Sequence, residues 1–282
     1  MRHWRSLLYV PVLEERFVAK AHERGADAVI LELEDAVAPS EKDRARELVR
    51  DAAATVAAGK VDVLVRINRP WRLAIRDIEA SVDPNVGGLV LPKVDSAEHV
   101  RALAEVAAGV EEDRGVPTGH TVFFARIEGP GGLLRATEIA SADRRVVAVG
   151  LGSSDYTIAT RMAAGGEGNV IASFQVVNAA VAAGRIPLGL VGSITDFGDL
   201  DAFRRLAERS RALGLRGSPC VHPSQVGILN EVFAPTEDEL KRARRVVEEY
   251  EQALSDGRGA IMIDGRFVDI PYYEQAKRLL DA

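Results

Sequence analysis

The sequence predicts a (β/α)8 barrel, the TIM-barrel architecture, with a C-terminal helix-hairpin-helix appendage. Eight short apolar runs recur along the chain: "SLLYVPV", "DAVILELED", "VDVLVRIN", "VGGLVLPKV", "TVFFARIE", "VVAVGLG", "IPLGLVGS" and "RGSPCVHP". Amphipathic segments such as "PSEKDRARELVRDAAATVAAG" and "SAEHVRALAEVAAGV" separate them, opened by Pro or Ser and closed by Gly as helices are. Strands joined by helices pair in parallel, and eight such units suit a closed barrel. The alternative is an open doubly wound sheet, but no G-x-G-x-x-G follows the first strand.

The pattern changes near residue 230, which divides the chain into a barrel at 1–230 and an appendage at 231–282. "TEDELKRARRVVEEYEQAL" reads as a charged amphipathic helix with Thr236 as N-cap. In "GAIMIDGRFVDIP", Asp264 and Gly265 lie between apolar runs as a two-residue hairpin turn does, and "YYEQAKRLLDA" closes the chain as a last helix. The appendage is too small to read as an independent domain.

Composition narrows the function. With 47% hydrophobic and 28% charged residues, 282 residues can bury a large core. A net charge of −6 gives no long-range attraction to nucleic acid or an anionic membrane, so an anionic substrate needs local Arg and Lys; "KRARR" belongs to a solvated helix face. The single Cys220 excludes an internal disulfide and a Cys-rich zinc site. "MRHWRSLLYVPV" has neither a sustained apolar region nor a small-residue cleavage site, and no later run spans a bilayer. The expectation is a soluble, cytoplasmic protein.

In such a barrel the C-terminal strand ends form the active-site face. Near strand ends the sequence places Arg5 (at the start of the first), Glu32, Glu34, Asp35, Arg66, Asn68, Lys93, Arg126, Glu128 and Asp155. Asp155 closes "VVAVGLGSSDY": it either begins a helix by bonding backbone amides or points a ligand into a site. Two carboxylates from adjacent strands, Glu128 and Asp155, without a His cluster or a nearby Cys, suit a hard divalent cation, Mg2+ first and Mn2+ second. "EGPGG" at 128–132 either offers helix amides to an anion or only turns the chain, while His222 and the glycines of "GGEGN" at 165–169 read as structural.

The motifs "RSLLYVP", "LELEDAV" followed by "P..K..AR", "VRIN", "LPKV", "ARIEGPGGL", "GSSDY", "HPSQ" and "GRFVDIP...QAKRLL" keep their order from Arg5 nearly to the end. Together they resemble the citrate lyase β-subunit-like branch of the HpcH/HpaI aldolase and citrate lyase family. The resemblance implies a (β/α)8 barrel that forms homotrimers or homohexamers and, with Mg2+, cleaves or forms C–C bonds in 3-hydroxyacyl-CoA thioesters such as citryl-, malyl- or citramalyl-CoA. It implies Glu128 and Asp155 as metal ligands, with Glu128 also on the substrate side. Arg66 would steady the carbonyl and developing enolate oxygen, and Arg5 would face substrate or CoA. Glu34 and Asp35 would order the metal's waters and the arginine. Asp269, in "FVDIP", would be a general acid/base brought over a neighbouring subunit's barrel mouth, its alternative being a cap before Pro271.

The chain departs from the family pattern in three places. Ser154 stands where relatives carry an acid before the ligand Asp; Gly129 and Pro130 replace a small Ser or Thr-Ala sequence; the seventh-strand segment keeps an acid at Asp196 but lacks the Asp that relatives carry soon after the strand-opening Pro. Other readings therefore stand beside the lyase. These are a class II aldolase on free 4-hydroxy-2-oxo acids, a malyl-CoA-type thioesterase, and a non-catalytic CoA-binding or lyase-complex subunit. An acyl-carrier partner is a further expectation of the lyase reading.

Overall fold

Short runs rich in Val, Ile and Leu become buried parallel strands when a helix covers the outer face of each. In the computed structural model, which describes residues 3–163, 166–195 and 197–280, the strands are β1 (Ser6–Pro11), β2 (Ala28–Glu32), β3 (Asp62–Arg66), β4 (Gly88–Leu91), β5 (Val122–Ile127), β6 (Val146–Leu151), β7 (Ile186–Leu188) and β8 (Ser218–Cys220). Each predicted apolar run supplies one of them. Neighbours pair in parallel in the order β7-β6-β5-β4-β3-β2-β1-β8. The Arg216 N–H donates to Pro187 O (2.9 Å) and the Gly189 N–H to Gly217 O (2.8 Å), so β7 and β8 close the sheet into a barrel. Two residues singled out in the sequence, Gly165 and Asp196, lie outside the described residues.

The strand period of two sorts the core into two layers. Leu7, Ile30, Leu64, Val90, Phe124 and Leu188 fill the interior. Leu8, Val29, Leu31, Val65, Leu89 and Val149 pack outward with helix residues such as Val49, Ile78 and Leu103. Trp4, 2% exposed, belongs to the interior cluster, and its indole N–H donates to Asp62 at the start of β3 (2.7 Å), which plugs the lower end. A register shift at Phe123/Phe124 leaves Val146 outward and Ala148 inward. Such a bulge breaks simple alternation.

One predicted helix stop is corrected. Ser96 does cap its helix, accepting the His99 N–H (3.2 Å), but the helix runs through Gly109 from Ala97 to Asp113. The extra turn carries the fully buried Glu111, whose carboxylate accepts the Gly119 and Thr121 amides and both Arg145 amino groups at 2.6–2.8 Å. A buried, paired carboxylate outweighs the helix preference of one Gly, which costs only about 1 kcal/mol.

The barrel, Trp4–Phe233, forms one compact unit and the chain from Ala234 another. In the second, Thr236 and Glu239 make a reciprocal capping box at the start of the helix Glu237–Ser255. β9 (Ile261–Ile263) and β10 (Arg266–Val268) pair antiparallel across Asp264 (φ 49°) and Gly265 (φ 74°), the left-handed pair a two-residue hairpin turn requires. The helix Ile270–Leu280 follows, and Tyr250, Ile263 and Val268 form a small core.

Burial favours the neutral acid at Glu111, but the bonds from Arg145, Gly119 and Thr121 outweigh it and hold the pKa down to about 2. Replacing Glu111 by Ala strands a buried Arg145, so urea unfolding at pH 7 is expected to show a loss of about 3–5 kcal/mol. Because the folded pKa is depressed, this contribution is complete above the ordinary Glu value of about 4.3 and fades as the pH falls through about 2. The stability gap between wild type and E111A therefore narrows over that acid window and nowhere above it.

Candidate active site

The inward register that fills the barrel with Ile30, Leu64 and Phe124 continues one step up as Glu32, Arg66 and Arg126. Glu32 and Arg66 are cross-strand partners, and the Arg66 Nε donates to Glu32 Oε2 at 2.5 Å. Arg66 Nη1 lies 3.3 Å from Glu34 Oε2, and the guanidinium carbon stacks 4.7 Å from the Tyr9 ring centroid. Lys93, in a left-handed conformation just past β4 (φ 50°), donates to Glu34 Oε1 (2.5 Å) and lies 3.5 Å from Asp35. The Lys42 ammonium, at the start of the helix after β2, donates to the Leu33 and Glu34 carbonyls. Across the mouth, the Arg126 Nη1 donates to the Tyr9 hydroxyl oxygen (3.0 Å). Burial raises the Tyr9 pKa, so the phenol is neutral.

Glu128 is the exception among these paired groups. Its side chain is buried, and neither carboxylate oxygen has a hydrogen-bond partner. Arg126 Nε lies 3.1 Å from Oε1 but is not aligned as a donor. Burial, reinforced by the negative Asp155 and Glu34, pushes Glu128 up to about 7 against the pull of Arg126. Space for it comes from Gly152, where a Cβ would lie 2.4 Å from Glu128 Cγ and 2.8 Å from Arg126 Nη2. Asp155 sits in the first turn of the helix Ser153–Thr160, whose start shows no side-chain cap. That helix start and the predicted ligand are thus the same residue, and its carboxylate is not used as a cap.

A cavity of about 310 Å³ opens above this network. Tyr9, Glu32, Asp35, Arg66, Arg126 and Asp155 line it, and Glu128 lies just behind its wall against Gly152. The structure thus brings together Glu34, Asp35, Arg66, Glu128 and Asp155 as the sequence predicts. It places Arg5 elsewhere. Arg5 precedes β1 and makes a paired contact with Asp27, which precedes β2, at 2.7 and 2.9 Å. In a parallel barrel that is the floor, so Arg5 is held in the scaffold there and is not among the residues lining the cavity. Asn68 likewise serves the scaffold, bonding Leu33 O and Asp77, which also pairs with Arg46. Gly132 takes the turning role read for "EGPGG", since a Cβ there would lie 2.4 Å from Val94 O. Gly168 packs on Met162. His222 bonds Ser224 in the turn after β8 and stacks on Phe197 (4.7 Å). Asp269 belongs to the second unit.

Glu32, Lys93 and Arg126 stand among the polar strand ends in the sequence, but no role was read for them. Tyr9 carried no signal, because an aromatic within an apolar strand reads as core.

Two unpartnered, buried carboxylate oxygens near a second carboxylate fit a hard cation that takes its other ligands from water or substrate. Among the described residues no group of three or more His, Cys, Asp or Glu forms a closed metal cage. Mg2+ and Mn2+ fit this donor set, and zinc does not.

A cation held by Glu128 would need its ionised form, for which protons compete below its pKa. The Mg2+ association constant, measured calorimetrically, is therefore expected to be level above about pH 7 and to fall about tenfold per unit below it. A level profile throughout assigns the binding to another group. The backbone at Gly152 (φ −84°) accepts any residue, so G152A acts by crowding the Glu128 and Arg126 side chains. It should weaken Mg2+ binding about tenfold or more while far-UV circular dichroism stays unchanged.

The family model described as HpcH/HpaI aldolase/citrate lyase matches residues 5–223. The citrate lyase subunit beta of Leuconostoc mesenteroides subsp. cremoris is 34% identical over 98% of this chain and 92% of its own length. The L-malyl-CoA/beta-methylmalyl-CoA lyase of Cereibacter sphaeroides is 32% identical over 95% of this chain and 89% of its own. The crystal structure of CitE from Mycobacterium tuberculosis in complex with magnesium, acetoacetate and coenzyme A matches with a TM-score of 0.78 and 27% identity, covering 100% of this chain and 98% of that one. With this fold, this cluster of strand-end charges and matches of this length, the chain belongs to the HpcH/HpaI aldolase/citrate lyase family.

Proposed function

We propose that this protein is a Mg2+-dependent carbon–carbon lyase. It cleaves, and in reverse forms, a 3-hydroxyacyl-CoA thioester such as citryl-, malyl- or citramalyl-CoA, giving an acyl-CoA and a 2-oxo acid. The observation that carries this reading is the buried, unpartnered Glu128 carboxylate behind a cavity rimmed by Arg66, Arg126 and Asp155. The lyases named among its relatives and the magnesium and coenzyme A held by its structural neighbour support it.

Held by Glu128 and Asp155, Mg2+ would supply the positive charge that draws the hydroxyl and carboxylate oxygens of the substrate. Arg66 steadies the thioester oxygen as it gains enolate charge, and Glu32 and Glu34 fix the guanidinium for that task. Glu34 and Asp35, linked through Lys93, order water beside it. Asp269 takes the substrate hydroxyl proton. The C2–C3 bond then breaks, its electron pair becomes the thioester enolate, and the proton returns to C2 to complete the acyl-CoA.

Asp269 acts from a second copy in this reading, with the appendage packed on or over the neighbouring barrel of a homotrimer or homohexamer. In support, the Asp269 Oδ1 has no hydrogen-bond partner, and among the described residues only its main-chain carbonyl, accepting from Tyr273, serves the helix start. No helix of the described residues is long and apolar enough to cross a membrane, and Cys220 is buried and free. A cytoplasmic setting fits both.

The test is to incubate the protein with malyl-, citramalyl- and citryl-CoA and measure both the 2-oxo acid and the acyl-CoA. Cleavage is expected to vanish with EDTA and to fall about a hundredfold or more in E128A. Activity is expected to return when inactive E128A and D269N subunits are dissociated and reassembled together. CoA release without a 2-oxo acid makes the protein a thioesterase, and cleavage confined to free 4-hydroxy-2-oxo acids makes it an aldolase. Ligand binding without turnover makes it a non-catalytic subunit, and no recovery on mixing removes the role in trans.

A further inference from the structure

The cavity has two unlike halves. Strands β1, β2, β3 and β5 give it Tyr9, Glu32, Asp35, Arg66 and Arg126, and both arginines are held against carboxylates. Strands β6 to β8 and their loops give it Leu151, Ser154, Leu190, Ile194, Thr195 and Val221, and among the described residues Asp155 is the sole charged group of that half. Ser154, Ser193 and Thr195 form a run of hydroxyls, 3.4 Å and 2.8 Å apart. No cation faces the cavity from this side among the described residues.

We infer that this half selects the 2-oxo acid, and that it takes one whose substituent is uncharged, hydrogen or a small alkyl group, over one bearing a second carboxylate. The inference rests on the lyase reading. The reacting carbon of the thioester bears four groups. Its hydroxyl and carboxylate are directed to the cation at Glu128 and Asp155. The acyl-CoA arm must pass out through the mouth past Arg66. The fourth group is left to the β6–β8 wall. Hydrogen or methyl fits a surface of hydroxyls and aliphatic carbons, whereas a carboxylate there is stripped of water with no Arg or Lys of this wall to pair with it. The preferred thioesters are then those with one free carboxylate, of the malyl or citramalyl type, rather than the citryl type.

Calorimetric titration of the Mg2+-loaded protein with glyoxylate, pyruvate, freshly dissolved oxaloacetate and 2-oxoglutarate tests this without turnover. Glyoxylate or pyruvate should bind about tenfold or more tightly than either dicarboxylate. In S154R, which places a cation on the exposed end of the wall, that ratio should narrow or invert. Oxaloacetate binding as well as pyruvate to the wild type overturns the inference and leaves the lyase reading standing. An unchanged ratio in S154R overturns the assignment of the fourth group to this wall. Mg2+ binding with no 2-oxo acid binding at all overturns the lyase reading, and this inference with it.

Discussion

The mouth of this barrel depends on the ion pair between Arg66 and Glu32. Both side chains lie in the register that fills the interior with Ile30 and Leu64 below, so both must leave bulk water. Burying such charges costs several kcal/mol per ion, which their attraction repays only when the geometry is good and the remaining polar atoms are bonded. Here Arg66 is shared with Glu34, Glu34 with Lys93, and the Tyr9 ring covers the guanidinium face. Glu34 is thus held between groups from two other strands, Arg66 of β3 and Lys93 just past β4. An apolar mouth would serve stability as well, so the chain of charges is best understood as a device that fixes Arg66 before any substrate arrives.

That chain does not close at Glu128. Arg126 gives one amino group to Tyr9 and stands beside Glu128 without an aligned bond, while Asp155 adds a further negative charge. A divalent cation would supply the charge this corner lacks. The same corner is crowded on its other side, and only the absence of a side chain at Gly152 leaves Glu128 its place. Electrostatics and sterics therefore converge on one atom group from opposite sides.

Much of this was legible in the chain because strand ends and strand parity are written in its residue order. The eight strands followed from apolar runs, and Glu34, Asp35, Arg66, Glu128 and Asp155 followed from polar residues at their C-terminal ends. Arg5 misled because it lies at a strand's beginning, and polarity alone sends it to the floor beside Asp27. Tyr9 stayed hidden because its phenol becomes polar machinery only when Arg126, 117 residues away in sequence, reaches it from across the barrel. Parity itself fails in β6, where the bulge beside Phe123/Phe124 resets the count. Gly152 carried no signal for the same reason of distance, since the side chain it makes room for, Glu128, stands just past the neighbouring strand β5.

The lone acid after β6 shows how one position serves two purposes. A carboxylate in the first turn of a helix is favoured by the positive end of the helix dipole, so local physics alone would place Asp155 there. A side chain used to cap amides would be poorly placed to coordinate anything else. Here the helix Ser153–Thr160 begins without a side-chain cap, and Asp155 instead lines the cavity. The helix start thus directs Asp155 into the cavity and sets a second carboxylate beside Glu128, the pair of oxygen donors that a hard cation takes.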